Sequence, residues 1–513
     1  MRCDQPWSSR ARSHGQRAWA ATGTARGPVV VNGPSSEGAT VARPPAVAGD
    51  CMVATSQPTA TAAGLRMLRE GGNAADAALA AVAVLCVTEP MSTGPGGDLF
   101  ALVWCDGRAE GLDAAGCAPR GAPAGVLPDE VGPRSVTVPG AVAGWAALAQ
   151  RHGRLGLEAC LQDAISLASD GFVVGARCAT MWAAAPTLPD GFGPAPACGV
   201  RVALPDLART LAAIARDGPS AFYAGRLGEA ICTASWLEEE DLAGMRAQWV
   251  EPLRAGYRGH EILELPPPTQ GVAALEALAL LEHTDGSLAD QITCSRLALE
   301  DAAREVRDGA DVSHLLDSAA IERRLREATR DVGEPAGGTV YLCAVDAQGM
   351  AVSLVQSVYY SFGSGVVVPA SGVVLQNRGA CFALSGGVEP GRRPYHTIIP
   401  GLIARDGELR GPFGVMGGFI QAQAHMQLVH GLLADGLDPQ AALDRPRFRV
   451  DGGLVRLEEG LWHRAETVTA LGLEPMFDRD IQTFGGGQVI LRTELGTLIG
   501  GSDSRKDGYA AGW

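Results

Sequence analysis

Hydrophobic positions along the chain switch repeatedly between a period of two and a period near 3.6. Strands are predicted at Met52–Ser56, Leu99–Trp104, Ala109–Asp113, Gly259–Leu265, Thr339–Val345 and Ala351–Val358. Further strands are expected at Gly372–Leu375, Thr397–Ala404, Phe413–Met416, Leu454–Glu458, Gln488–Arg492 and Thr497–Ile499. Helical spacing predicts Thr59–Arg69, Ala74–Val87, Gly140–His152, Leu157–Gly171 and Asp206–Asp217. It also predicts Gly271–His283, Thr293–Ala310, Leu315–Arg330, Gln421–Asp435 and Pro439–Arg445. Asn73 reads as the cap of Ala74–Val87, which is apolar nearly all round and belongs deep inside. The acidic stretch Leu237–Met245 reads as a helix with a solvated face. The Gly/Pro-rich stretch Phe172–Pro205 reads as irregular. Alternating strand pairs and helix pairs suit an α+β chain built as a four-layer αββα sandwich.

Composition narrows the class. Of 513 residues 46% are hydrophobic and 19% charged, enough for a substantial core. A net charge of −15 argues against nucleic acid as the main partner. Twelve cysteines without a Cys-x-x-Cys pair signal neither zinc nor a redox dithiol, and fit free thiols in a reducing cytoplasm. Residues 1–50 are rich in Arg, Ala, Gly and Ser and lack the apolar core of a secretory signal. They are expected to be a disordered tail, or to reflect a start assigned too early. No run reaches the ~18 apolar residues of a membrane span.

The candidate chemistry lies at Gly337-Gly338-Thr339, where a flexible segment enters an apolar strand. Asp346-Ala-Gln-Gly349 then supplies hairpin chemistry. A threonine hydroxyl needs an adjacent base to act as a nucleophile. If the chain opened between Gly338 and Thr339, the new α-amine would titrate near ~7.7–8.0 and supply that base. Taken alone, the three residues read first as a loop entering a strand.

Other segments bear on the choice. They are Met52-Val-Ala-Thr-Ser, Gly71-Gly-Asn-Ala-Ala-Asp-Ala-Ala, Glu89-Pro-Met-Ser-Thr-Gly-Pro-Gly-Gly and Val138-Pro-Gly-Ala-Val-Ala-Gly-Trp. Tyr257-Arg-Gly, Pro266-Pro-Pro-Thr-Gln-Gly, Gly417-Gly418 and Gly501-Ser-Asp-Ser-Arg follow in order. With the Thr339 strand among them, the chain from Cys51 to Trp513 resembles the γ-glutamyltransferase family of N-terminal-nucleophile hydrolases. The resemblance implies self-cleavage into a large chain, 51–338, and a small chain, 339–513, that stay together as a heterodimer. It implies Thr339 as nucleophile, Ser357 as the supporting hydroxyl and the amides of Gly417 and Gly418 as oxyanion donors. No metal or organic cofactor is implied, and the substrate is a small molecule.

Departures from the family pattern point away from glutathione. The arginine that binds a glutamate α-carboxylate is Ala115 here, and the aspartate that binds its α-ammonium is Cys381. The family's serine pair is His396-Thr397. Arg378 and His396 are new polar groups near the expected pocket, and Arg378 could take a carboxylate in another pose. Asn377 either orients substrate or holds its loop. Asp503-Ser-Arg505 reads as a structural ion pair. The expected activity is hydrolysis or transfer of a small amide or acyl compound. Two alternatives are cleavage of a carbon–carbon bond beside an oxo-acid in antibiotic biosynthesis, and an unprocessed, silent scaffold.

Overall fold

The runs on either side of Asp346-Ala-Gln-Gly349 form a hairpin, Gly338–Val345 with Ala351–Tyr359, at the centre of a seven-stranded antiparallel sheet. Gly349 takes a φ of 87°, which the turn needs. Asp346 accepts from the Gln348 and Met350 amides with one oxygen and from the Ala74 amide with the other, tying the turn to a helix start. The computed structural model describes residues 43–326 and 338–513. In the first sheet the order is Tyr509–Gly512, Met52–Thr55, the hairpin, Asp98–Cys105, Arg108–Ala114 and Gln248–Val250. In the second it is Ala46–Ala48, Leu498–Ser502, Gly486–Arg492, Glu408–Met416, Gly401–Arg405, His260–Glu264 and Leu253–Tyr257. Each sheet therefore interleaves strands from before and after Gly338.

Three apolar layers separate four structural ones, and the αββα expectation is met. Phe100, Leu102, Leu263, Tyr341, Leu402 and Ile490 fill the space between the sheets. Helices Pro58–Arg69, Ala74–Thr88, Ala141–His152 and Gly156–Asp170 cover the first sheet. Helices Gly271–Leu281, Leu288–Glu305 and Ile420–Leu433 cover the second. Every residue of Ala74–Thr88 is buried, and Asn73 and Asp76 form the capping box that starts it. Among the described residues no helix is long and apolar enough to cross a membrane.

Several elements differ from their sequence reading. Phe172–Pro205 holds a helix, Ala176–Ala183, that buries Cys178, Met181 and Trp182 on one face. The acidic helix is only Glu239–Ala243, and its Asp241 is buried, accepting from the Arg120 and Glu238 amides. The helix expected at Thr293 begins five residues earlier because Ser287 and Asp290 form a capping box. Leu315–Arg330 is a 3₁₀ turn, Ser313–Leu316, then a helix, Ser318–Arg324, whose Arg324 is buried against Glu300 and Asp301. Positions 327–330 lie outside the described residues, as do 1–42 of the expected tail. Ala46–Ala48 falls within that tail but pairs with Leu498–Ser502.

Candidate active site

Between the pairs Gly338–Tyr359 and Val340–Gln356 one residue of the first strand faces two of its partner. This bulge turns Thr339 toward Ser357. The buried Thr339 hydroxyl donates to Ser357 Oγ at 3.3 Å, and Ser357 donates to the Gly338 carbonyl oxygen at 2.7 Å. Ser357 Oγ also accepts from the Tyr359 amide at 2.8 Å and from Arg378 Nη2 at 3.3 Å. Gly97, in the glycine-rich turn, packs under this strand: a Cβ there would lie 2.3 Å from the Ser357 carbonyl oxygen. That close approach explains the glycine.

Gly417 and Gly418 follow the strand Glu408–Met416 with φ of 129° and 72°. Among the described residues neither amide donates a hydrogen bond outside the sheet ladder. Gly417 and Gly338 line one cavity of about 400 Å³, together with Met91, Ser92, Met181 and Tyr360. The strand end is held by His425, whose Nε2 accepts from the Val415 amide at 3.0 Å while Nδ1 meets Glu264 at 2.7 Å. Burial pushes His425 down to about 3, so the ring stays neutral and keeps Nε2 as an acceptor.

Arg378 is fully buried beneath this site. Nη1 reaches Thr397 Oγ1 at 3.1 Å and Cys381 Sγ at 3.9 Å, and the guanidinium lies 4.3 Å from the centre of the Tyr359 ring. His396 stands close by, its Nε2 2.9 Å from Asp98 Oδ2 and its Nδ1 2.8 Å from the Pro394 carbonyl. Burial first, and the Arg378 charge as well, hold His396 below its ordinary value against the pull of Asp98. Asp98 Oδ1 accepts from the Gly116 and Gly140 amides and from Gln376 Nε2.

Not every predicted site residue joins this set. Ala115 packs in the core between the sheets, its amide on Asp113, and adds no polar group. Asp113 is instead ion-paired with Arg393, although burial still raises it to about 6. Cys381 is buried beside Arg378, and burial pushes its thiol up. Asn377 accepts from the Tyr360 amide and donates to the Glu130 carbonyl, so it holds loops. Sequence reasoning missed Asp98, Gln376, Glu264 and His425. A lone acid heading the apolar run Asp98-Leu-Phe-Ala-Leu-Val-Trp was the available signal for the first.

The sequence profile described as Gamma-glutamyltranspeptidase matches residues 60–513. The chain belongs to the gamma-glutamyltranspeptidase family. Within that family it is 33% identical to the acylase ACY 1 proenzyme of Pseudomonas sp. (strain SE83), over 91% of this chain and 94% of that one. It is 30% identical to the glutathione hydrolase-like YwrD proenzyme of Bacillus subtilis (strain 168), over 90% and 98%. The crystal structure of cephalosporin acylase from Bacillus halodurans superposes with a TM-score of 0.87 at 38% identity, covering 94% of this chain and 99% of that one. The gamma-glutamyltranspeptidase fold here is thus that of the N-terminal-nucleophile hydrolases, and the chain is an enzyme of the hydrolase or acyltransferase kind.

Proposed function

We propose that the chain cleaves itself between Gly338 and Thr339 and then hydrolyses or transfers the acyl group of a small amide through an ester on Thr339. The observation that carries this reading is the hydrogen-bonded series Thr339 Oγ1, Ser357 Oγ, Gly338 O. As the Thr339 oxygen attacks the Gly338 carbonyl carbon, its proton can pass to Ser357 while Ser357 protonates the carbonyl oxygen. As the carbonyl re-forms, that oxygen gives up its proton to the peptide nitrogen, which leaves as the Thr339 amine. Water cleaves the resulting ester, leaving a carboxylate on Gly338. In the mature enzyme that amine takes the hydroxyl proton during attack on substrate and returns it to the leaving amine. The Gly417 and Gly418 amides, without other acceptors among the described residues and with Gly417 on the same cavity as Gly338, suit the oxyanion. Two relatives described as proenzymes, one of them an acylase, support the reading. The free thiols among the described cysteines support a reducing compartment such as the cytoplasm.

Two fragments on a denaturing gel, the smaller beginning Thr-Val-Tyr-Leu, are the expected result; a stable single chain sinks the proposal. An amine-reactive dye gives a second readout. Lys506 is the single lysine of the chain and is buried, so cleavage adds one strongly reactive amine. Ser357→Ala removes the donor to the Gly338 carbonyl. It is expected to slow cleavage on the order of a hundredfold, as loss of one oxyanion donor does elsewhere. The half-time for disappearance of the full-length band measures this.

A further inference from the structure

We infer that Ser92 is a specificity-determining residue, and that the enzyme takes acyl groups with a hydrogen-bond donor, a hydroxyl or an amine, on the carbon next to the reacting carbonyl. This rests on Thr339 being the nucleophile and on the scission proposed at Gly338. Ser92 is fully buried, and its Oγ has no hydrogen-bond partner among the described residues. The folded chain bears the cost of desolvating that hydroxyl with no bond in return, so a ligand group that supplies the bond is favoured. Ser92 lines the cavity that Gly338 and Gly417 also line. Ser361 Oγ, on the same cavity, is unpartnered too, but Ser92 is the one beside the scissile bond. A Cβ added to Gly338 would lie 3.6 Å from Ser92 Cα.

The surroundings of Gly338 fix what substrate meets. The ester formed during self-cleavage carries Gly338 as the acyl group on the Thr339 oxygen, an acyl-enzyme of the same kind as the one formed from substrate. Once scission frees Gly338 to leave, the α-carbon of a substrate acyl group takes the place of its Cα. A substituent on that carbon, in the direction of the added Cβ, has three near neighbours. They are the Met91 carbonyl oxygen at 3.5 Å, Ser92 Cα at 3.6 Å and the Tyr359 carbonyl oxygen at 3.6 Å. A single heavy atom fits there at ordinary contact, whereas a longer branch would run into backbone. Two of the neighbours are acceptors. The Met91 carbonyl takes the Phe362 amide at 2.9 Å and has a second lone pair to offer. The Ser92 hydroxyl stands two bonds from its Cα and can donate or accept. A substrate hydroxyl accepts from Ser92 and donates to a carbonyl; an amine donates to both. A methyl offers none of them a hydrogen bond.

The test uses purified, processed protein and three p-nitroanilides. One is of glycolate; one is of propanoate, with a methyl for the hydroxyl; one is of methoxyacetate, which keeps the oxygen and loses the donor. In the wild type, kcat/KM for glycolyl should exceed that for each of the others on the order of a hundredfold, because a site built to hydrogen-bond a group discriminates against its absence. Ser92→Ala should shrink both ratios about tenfold, the scale of one neutral hydrogen bond. The intrinsic reactivities of the anilides cancel in that comparison, and a merely structural role would change all three substrates alike. Removing Ser92 Oγ costs the folded chain no hydrogen bond among the described residues, so the variant should fold. Should it fail to, the wild-type series decides alone. Propanoyl or methoxyacetyl turned over as fast as glycolyl, no glycolyl turnover by processed protein, or ratios unchanged in Ser92→Ala would each overturn the inference. Failure of the Thr339 reading shows separately, as a single unprocessed band before any assay.

Discussion

Thr339→Ala leaves one uncut polypeptide on a denaturing gel and lowers amide turnover by three or more orders of magnitude, the scale on which loss of a nucleophile acts. The variant should fold, because trimming the side chain to a methyl costs one hydrogen bond, to Ser357 Oγ, and one buried methyl group. Ser357 keeps its bonds to the Gly338 carbonyl and the Tyr359 amide. The alanine also lacks any group to attack the Gly338 carbonyl, so cleavage and catalysis vanish together. Fragments appearing in this variant at the wild-type rate would show that another residue, or a contaminating protease, cuts the chain.

Asp503→Ala is expected to lower unfolding stability by about 3–5 kcal/mol, the usual cost of removing one partner of a buried ion pair. Asp503 accepts from Arg447 Nη2 at 2.7 Å and from Arg505 Nη1 at 3.0 Å, and its oxygens also hold the Gly487 and Arg505 amides. All three side chains are buried. Without the carboxylate, Arg447 loses the acid that pairs with it, while Arg505 keeps Glu458 at 2.5 Å. Arg447 first, then Arg505, hold the Asp503 carboxyl below its ordinary value despite burial. The folded pKa is thus below the unfolded value of about 3.9. The contribution is fully present above the unfolded value and fades as pH falls through the folded one. The gap between wild type and variant should therefore narrow in acid below pH ~4. Chemical denaturation in the Thr339→Ala background, where the chain is uncut, measures both effects. An unchanged midpoint would refute the structural role of this cluster.

What the sequence disclosed was mostly local. The hairpin and its turn, the Asn73 cap and the buried helix behind it each lie within a few residues, where period and capping chemistry act directly. Ser357 came from the family resemblance, and the hairpin places it beside Thr339, eighteen positions along the chain. The Asp98–His396 contact spans 298 positions, and nothing in either neighbourhood announces the other. Arg378 was visible as a new cation, but not its partners Ser357, Thr397 and the Tyr359 ring, since those depend on everything packed around it. The helix at Ala176–Ala183 was hidden because flanking glycines and prolines outweighed an eight-residue apolar spacing. Asn377 was legible as polar but ambiguous in role, and its two backbone partners decide it.

The interleaving of strands has a thermodynamic corollary. An uncut chain unfolds and refolds as one molecule, at a midpoint independent of its concentration. After scission neither piece owns a complete sheet, since Met52–Thr55 sits between Tyr509–Gly512 and Gly338–Val345. Unfolding then releases two species, and recovery becomes second order and sensitive to dilution. The proposed maturation would thereby exchange a reversible equilibrium for endurance set by the rate of opening.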